Sequence, residues 1–502
     1  MSKILHFFMV VLHLPLWLFA PFQLLAFVPI YLVRSAVKLL AFMFRPDLIS
    51  MLAPLDGMFA ADEMYICPRN TVVGCMVLEG ITNSDLIWEM LRKNILEARC
   101  EKDPGQLMYP ELRRTITHWL GYPFWTESEL PYGGIRTHEK ELSLEELHKF
   151  QAQLTFLPYR KNAPLWELVV IKRIMDGPNT SAVLFRFHHA LADGPAMLSL
   201  LRKMTSLQTP KICKQVVPAP TKGTGYEALR ILGAPYDIIN QEKVLGKNDW
   251  LIKDKQGWTQ CDFNAHYSTV AARLRFHSSE SIPFSIIRQV GGAHGMSGTA
   301  VLHSAMLGAV RKSYFPNEAK SISRVTVQTP QLSVLGKGRR LLGNNVTFGW
   351  YSAHMGELNV VKRLLETHEG LLAMKRSACP VALAVFVRAL GSLPRPGIRK
   401  FFQGRHQDEK IFVYNIPAPG EVDNFCGYNI KHIEMTVGSY AGNAGLAITF
   451  ITAGGNLRIG VLGDENVLYG KDQAKEIILN FMEELEALKN AIPLSKETYC
   501  GV

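Results

Sequence analysis

Hydrophobic patterning divides the chain sharply near residue 45. Ile4 to Val33 is thirty residues without Asp, Glu, Lys or Arg, rich in Leu, Phe, Val and Trp. About twenty apolar residues in a helix cross a bilayer. Pro15, Pro21 and Pro29 interrupt the run, so a kinked span and a re-entrant hairpin both fit. A removable signal peptide and a buried core helix are the rival readings: Lys3 gives a weak basic start, and Ala20 or Ala26 could serve as the small residue before a cleavage site. Arg34, Lys38 and Arg45 follow the run, against Lys3 alone before it. This favours a retained anchor whose C-terminal side faces the cytosol. Ser35 to Phe44 reads as an interfacial helix.

Beyond the anchor, periods of two and of 3.6 residues alternate. Thr71 to Leu78 reads as a strand. Asn83 or Ser84 caps a helix to about Ala98, with Leu86, Met90 and Ile95 inward. Ser143-Leu144-Glu145-Glu146 is a capping box opening a helix to about Leu154. The strand LWELVVIKRI follows. A turn at Asp176 to Asn179 joins it to a strand beginning at Ser181, predicting a β-hairpin. Three prolines, two glycines and several lysines between Gln208 and Gly225 mark an exposed crossover. The second half predicts helices over 281–290, 297–314, 359–377, 381–390 and 472–489. Its strands fall at 323–330, 411–417, 445–452 and 456–462. The 381–390 helix either lines a lipid tunnel or simply packs. In the last helix Ile478, Phe481, Met482 and Leu485 face inward.

Composition narrows the class. Of 502 residues, 48% are hydrophobic and 20% charged, enough for a large ordered core in two lobes. The net charge of +11 is scattered, with no long basic run and no RNA-binding signature. An anionic membrane or an anionic co-substrate is therefore a better partner than nucleic acid. Eight cysteines are widely spaced, without a CxxC or CxxH cluster, so no metal or redox motif is expected.

Candidate chemistry concentrates in SAVLFRFHHALADGPAM, Ser181 to Met197. An apolar strand runs into His188-His189, and Asp193-Gly194-Pro195 then stops it and opens a helix. Alternation puts Val183, Phe185, Phe187 and His189 on one face, and Leu184, Arg186 and His188 on the other. One imidazole can thus face a channel and take a proton from a hydroxyl while the other is held inside. A pair of satisfied core or turn histidines is the plainer reading of the same residues.

HHALADG fits HHxxxDG and resembles the active-site motif of the CoA-dependent acyltransferase superfamily. Further motifs occur in the order of one of its families: Pro54-Leu55-Asp56-Gly57-Met58-Phe59 as PLDxMF, Pro164-Leu165-Trp166 as PLW, Gly343-Asn344, and Asn415-Ile416-Pro417. The chain is thereby identified as a member of the wax ester synthase/diacylglycerol O-acyltransferase (WS/DGAT) family. The 297–314 segment resembles the family segment that carries an Asn-Asp pair, but Thr299 and Ala300 stand there. His138, near a position where the family often has a histidine, is read as structural.

The resemblance implies an α/β (α+β) fold of two chloramphenicol-acetyltransferase-like lobes, with mixed sheets and a central channel. The boundaries are an anchor over 1–48, a first lobe over 49–208, a linker over 209–225 and a second lobe over 226–502. It implies transfer of a fatty acyl group from acyl-CoA, the co-substrate, to a long-chain alcohol or diacylglycerol. No cofactor is held permanently and no metal is required. His189 is the general base. His188, Asp193 and Gly194 support the site, with Asp193 holding the loop and Gly194 permitting a tight turn. Thr299, Asn415 and Trp166 are candidate substrate or oxyanion contacts. The bilayer is a partner, nucleic acid is not, and the lobes are expected on the cytosolic side of the endoplasmic reticulum. The rival functions are a membrane-tethered, inactive lipid-binding relative and an acyltransferase for a small polar acceptor.

Overall fold

The structure is a computed structural model. It describes residues 8, 11–100, 103–129, 134–204, 234–238, 251, 266–316, 324–332, 341–403, 411–417, 424–438 and 445–492. The 209–225 linker lies outside the described residues.

A short 3-10 segment, Leu14–Phe19, leads into one helix, Ala20–Phe44, with Pro29 inside it. The separate interfacial helix expected from Ser35 is not seen, because no breaker lies between Pro29 and Phe44. Within this helix Phe27–Phe44 is long and apolar enough to cross a membrane, with a mean hydropathy of 1.7. Its C-terminal part is docked on the body. Val37 and Ala41 pack with Leu48, Tyr122 and Phe124. The Arg34 guanidinium donates to the Leu52 carbonyl, and Arg45 lies 6.0 Å from the Trp119 ring centroid. Towards the N-terminus Leu12, Leu18, Leu25 and Leu32 are exposed.

Among the described residues the first lobe has a six-stranded sheet in the order 424–425, 428–437, 71–79, 180–188, 166–171, 135–138. The predicted hairpin is present: Trp166–Ile171 pairs antiparallel with Thr180–His188, with Trp166 opposite Phe187. Alternation holds along the histidine strand. Val183, Phe185 and Phe187 enter the main core, while Ala182 and Leu184 pack under the helix Leu144–Phe156. That helix carries the expected capping box, and Asn83 caps Ser84–Leu91.

The strand Tyr428–Val437 comes from the second half of the sequence but pairs antiparallel with Thr71–Glu79, Val437 opposite Val72. Leu342, Val387, Leu390 and Ile398 also enter the first lobe's core. Assigning all of 226–502 to a second lobe therefore misplaces these segments. A lobe-by-lobe reading of sequence order cannot register a strand that crosses over.

The second lobe's sheet runs 274–278, 456–464, 446–453, 411–417, 325–332, 346–353, with 282–283 also on 456–464. Ile411–Pro417 lies parallel to both its neighbours. Helices Gly298–Tyr314, Val360–Arg376 and Gln473–Asn490 cover it.

Candidate active site

The histidine strand ends at His188, opposite Thr71, and the chain leaves the sheet there. The His189 N–H donates to the Asn70 carbonyl at 2.7 Å. The two rings then diverge. His188 is fully buried. Its Nδ1 accepts from the Ala190 N–H at 3.2 Å, so its Nε2 carries the proton and donates to Asp62 Oδ2 at 3.2 Å. The same carboxylate oxygen accepts from the Arg69 and Asn70 backbone amides at 2.5 and 2.8 Å. His188 is thus a pin that holds the 62–70 turn against the strand end.

His189 is part-buried. Its ring stacks on Phe59, centroids 4.1 Å apart and planes at 20°. Its Nδ1 lies 2.7 Å from Asn344 Oδ1. The Asn344 amide nitrogen donates to the His189 carbonyl at 2.7 Å and to Asp56 Oδ1 at 2.8 Å, and the Asn344 backbone N–H donates to Asp56 Oδ1 at 3.0 Å. With both amide hydrogens committed, Oδ1 can only accept, so His189 Nδ1 is the protonated nitrogen and Nε2 keeps its lone pair. Burial pushes the His189 imidazole below its ordinary value. The Asp193 charge and the Asn344 bond act against that, and His188 adds to it. The ring is therefore neutral near pH 7, in the form a base requires.

Asp193 is buried and works as a clamp. Oδ1 accepts from the Ala196 N–H at 3.0 Å and caps the helix Gly194–Leu201. Oδ2 accepts from the Asn345 N–H at 2.8 Å, and the Asp193 N–H donates to the Gly343 carbonyl at 3.3 Å. It ties the motif helix to the turn that supplies Asn344. Gly343, at φ 152°, takes a backbone conformation that side chains avoid. Gly194 does not play the part expected of it. Its φ is not in the left-handed region, and a Cβ there would meet nothing within 4 Å. The residue opens the helix after an extended Asp193 cap and is not forced to be glycine by a tight turn.

The remaining candidates lie apart. Trp166 is 2% exposed and spends its indole N–H on the Leu112 carbonyl at 2.8 Å, so it is placed as an anchor of the hairpin. Thr299 and Asn415 meet in the second lobe, the Asn415 amide donating to the Thr299 hydroxyl at 3.3 Å. Ser297 caps that helix, accepting from the Ala300 N–H at 3.2 Å. His138 ends an edge strand, with its ring 5.4 Å from that of Phe150. Asp56, Phe59, Asp62 and Asn344 were not singled out from the sequence. Three of them stand in the PLDxMF and Gly-Asn motifs, which meet at His189. Asp62 carries no motif.

The two mixed α/β lobes have the fold class of wax ester synthase/diacylglycerol acyltransferases and of peptide-synthetase condensation domains. The starter condensation domain of rhizomide synthetase, solved with C8-CoA and Leu-SNAC, superposes with a TM-score of 0.56 at 14% identity over 90% of this chain and 96% of that one. The wax ester synthase/diacylglycerol acyltransferase from Marinobacter aquaeolei VT8 gives 0.55 at 19%, covering 88% of this chain and all of its own. In sequence, the wax ester synthase/diacylglycerol acyltransferase catalytic domain matches residues 142–245, and the WS/DGAT C-terminal domain matches 342–489. Two Mycobacterium tuberculosis proteins named as diacylglycerol O-acyltransferases are each 22% identical. One matches over 395 residues, 72% of this chain and 76% of its own, and the other over 369 residues, 70% and 77%. The chain belongs to the WS/DGAT family and is an acyltransferase.

Proposed function

We propose that this acyltransferase moves a fatty acyl group from acyl-CoA to the hydroxyl of a long-chain alcohol or of diacylglycerol, with His189 as general base. The observation that carries this is the Asn344 amide, which holds Nδ1–H and leaves Nε2 as the proton acceptor. Nε2 takes the hydroxyl proton as the oxygen attacks the thioester carbonyl, and a tetrahedral oxyanion forms. The C–S bond then breaks, the imidazolium returns the proton to the CoA thiolate, and an ester and free CoA leave. Neither a covalent acyl-enzyme nor a metal takes part in this scheme. The paired Thr299 and Asn415 are the candidate oxyanion or substrate contacts, since Thr299 keeps a hydroxyl hydrogen to donate. Asp193 acts by clamping the Asn344 turn, not by proton transfer.

The acceptors are water-insoluble, and the exposed apolar helix before Arg34 supports a membrane anchor. Its flanking charges support lobes on the cytosolic side, where acyl-CoA is available, and an endoplasmic-reticulum membrane suits that supply. The test uses detergent-solubilised full-length protein, radiolabelled palmitoyl-CoA, and hexadecanol or diacylglycerol as acceptor. Label should appear in wax ester, triacylglycerol or both, and fall about 10²–10⁴-fold in His189→Ala. Ester formation unchanged in that variant would remove His189 as the base. Acyl-CoA binding by folded protein without ester from either acceptor would favour a small polar acceptor or an inactive relative.

A further inference from the structure

We propose that the helices Cys379–Leu390 and Arg395–Gln403, with the hairpin tip at Leu120, form a second membrane-contacting surface that seats the catalytic body flat on an anionic bilayer. The proposal rests on the reading of the N-terminal helix as an anchor. A continuous set of contacts leads from that anchor to the surface. Arg45, at the anchor's end, lies against Trp119, and Trp119 pairs with Tyr122 across a hairpin. The tip residue between them, Leu120, has φ 48° and is 56% exposed. A leucine held in the left-handed region and left bare gains nothing from the protein interior that would offset its strain.

The next residue joins the hairpin to the second element. The Gly121 carbonyl accepts from the Arg395 N–H at 2.7 Å, and a Cβ on Gly121 would lie 3.0 Å from Pro394 Cβ. The helix that starts there places Phe401 5.5 Å from Phe386 on the helix before it. Both helices have an inward face, through Val387, Leu390 and Ile398 in the first lobe's core. The first helix also turns Val385 and Phe386 outward, and the second exposes Pro396 and Lys400 beside them. Such helices lie in a membrane interface rather than span it. A span through the bent pair 360–376 and 379–390 is excluded, since Arg363, Leu364, Leu371 and Met374 are buried in the protein.

Charge selects the partner. Acidic residues number 44 in 502, about one in eleven, yet none occurs from Gly370 to Gln407, where seven Lys and Arg stand. Arg395 and Arg399 turn inward to Glu63, whereas Lys375, Arg376 and Lys400 are exposed. None occurs from Met1 to Pro46 either. The exposed cations beside Val385 and Phe386 fit an anionic lipid headgroup layer. The seat also adjoins the site. Gly391 packs so closely on Pro54 that a Cβ would lie 1.9 Å from its carbonyl oxygen, and Pro54 opens the helix that carries Asp56 and Phe59. Phe59 stacks on the His189 ring, so this helix links the seat to the site.

The test places p-benzoylphenylalanine singly at Leu25, Leu120, Phe386 or Leu479 in the full chain. Each protein is reconstituted in phosphatidylcholine/phosphatidylserine vesicles containing radiolabelled phosphatidylcholine and then irradiated. Leu479, exposed on the terminal helix, is the control. Labelling at 25, 120 and 386 at least tenfold above 479, and several-fold weaker at 120 and 386 without phosphatidylserine, is the expected result. Labelling at 25 alone would overturn the seat and leave the anchor standing. Labelling at 120 and 386 but not at 25 would remove the anchor and keep the seat. Equal labelling at 479 would show contact without a preferred face and overturn the seat.

Discussion

Asn344 is the side chain on which the orientation of His189 turns. It accepts from Nδ1 and donates to the backbone of the same histidine, and Asp56 fixes it in turn through two hydrogen bonds to one carboxylate oxygen. Asn344→Ala removes the acceptor, frees the ring to take the other tautomer, and takes the side-chain amide donor from the buried Asp56 carboxylate. The expected result is a fall in kcat of about 10²-fold with KM for acyl-CoA nearly unchanged, the pattern of a group that orients a base without touching substrate. Asn344→Asp keeps an acceptor but adds a carboxylate beside Asp56 and His189. A negative charge raises an imidazole pKa. Wild-type His189 is held below its ordinary value, so its kcat/KM should lose activity to acid only below about pH 6.5. In Asn344→Asp the acid limb should move to higher pH. Steady-state pH profiles of the two proteins check the sign, and an unmoved limb would separate Asn344 from the base.

The elements were read from sequence where one face is apolar and one end is capped. The capping box at Ser143, the Asn83 cap and the apolar run into His188 each carry that signal, and each element is present. The crossover strand Tyr428–Val437 was missed for a physical reason. Its fully buried positions His432, Glu434 and Thr436 are polar, and its apolar Ile433, Met435 and Val437 are only half-buried. Polar partners from elsewhere meet that face. Arg458 donates to Glu434 at 2.7 Å, the His148 ring nitrogen lies 3.0 Å from the same carboxylate, and Thr155 meets Thr436 at 2.9 Å. The site shows the same division. The histidines stand out as residues, whereas the Asp56–Asn344–His189 chain joins positions 288 and 155 residues apart. Contact between elements also sets a prediction. Gly391→Ala must push the 379–390 helix off the helix Pro54–Ala60, because the collision is with backbone oxygen and not with a flexible side-chain end. A loss of about 1–3 kcal/mol is expected, as for overpacking generally, with activity falling further than stability as Asp56 and Phe59 shift. Urea unfolding beside the acyl-transfer assay measures both, and full activity in a destabilised variant would uncouple that contact from the site.

At the scale of the whole molecule, buried titratable groups on both lobes set the response to acid, and they act in different pH ranges. In the first lobe's sheet, burial pushes the Glu434 carboxyl up, but the adjacent His148 and His432 rings and the Arg458 charge outweigh it and hold the group well below the usual carboxylate range. A depressed carboxyl stabilises the fold above its unfolded value of 4.5, and that contribution is lost only as pH falls below it. His303, in the second lobe's core with Nδ1 2.8 Å from the Tyr351 hydroxyl, is pushed down by burial to about 3. Its unfolded form takes a proton near pH 6.5 and its folded form does not. Stability therefore falls as pH drops through 6.5, at about 1.4 kcal/mol per unit, or about 2 kcal/mol by pH 5. His118, also pushed down to about 3 by burial and the Arg395 charge, acts in the same direction. The protein should thus weaken between pH 7 and 5, before any carboxylate of the Glu434 kind is titrated. His303→Gln, which keeps a polar partner for Tyr351 but cannot take a proton there, should lower stability at pH 7 and flatten its pH dependence over this range. Thermal unfolding of both proteins at pH 7, 6 and 5 measures the two slopes. Equal slopes would mean that His303 is protonated in the folded state or never freed of its environment in the unfolded one, whereas a flatter slope in the variant would assign that share of the acid response to the core of the lobe that carries Thr299 and Asn415, beside the share of His118 in the other lobe.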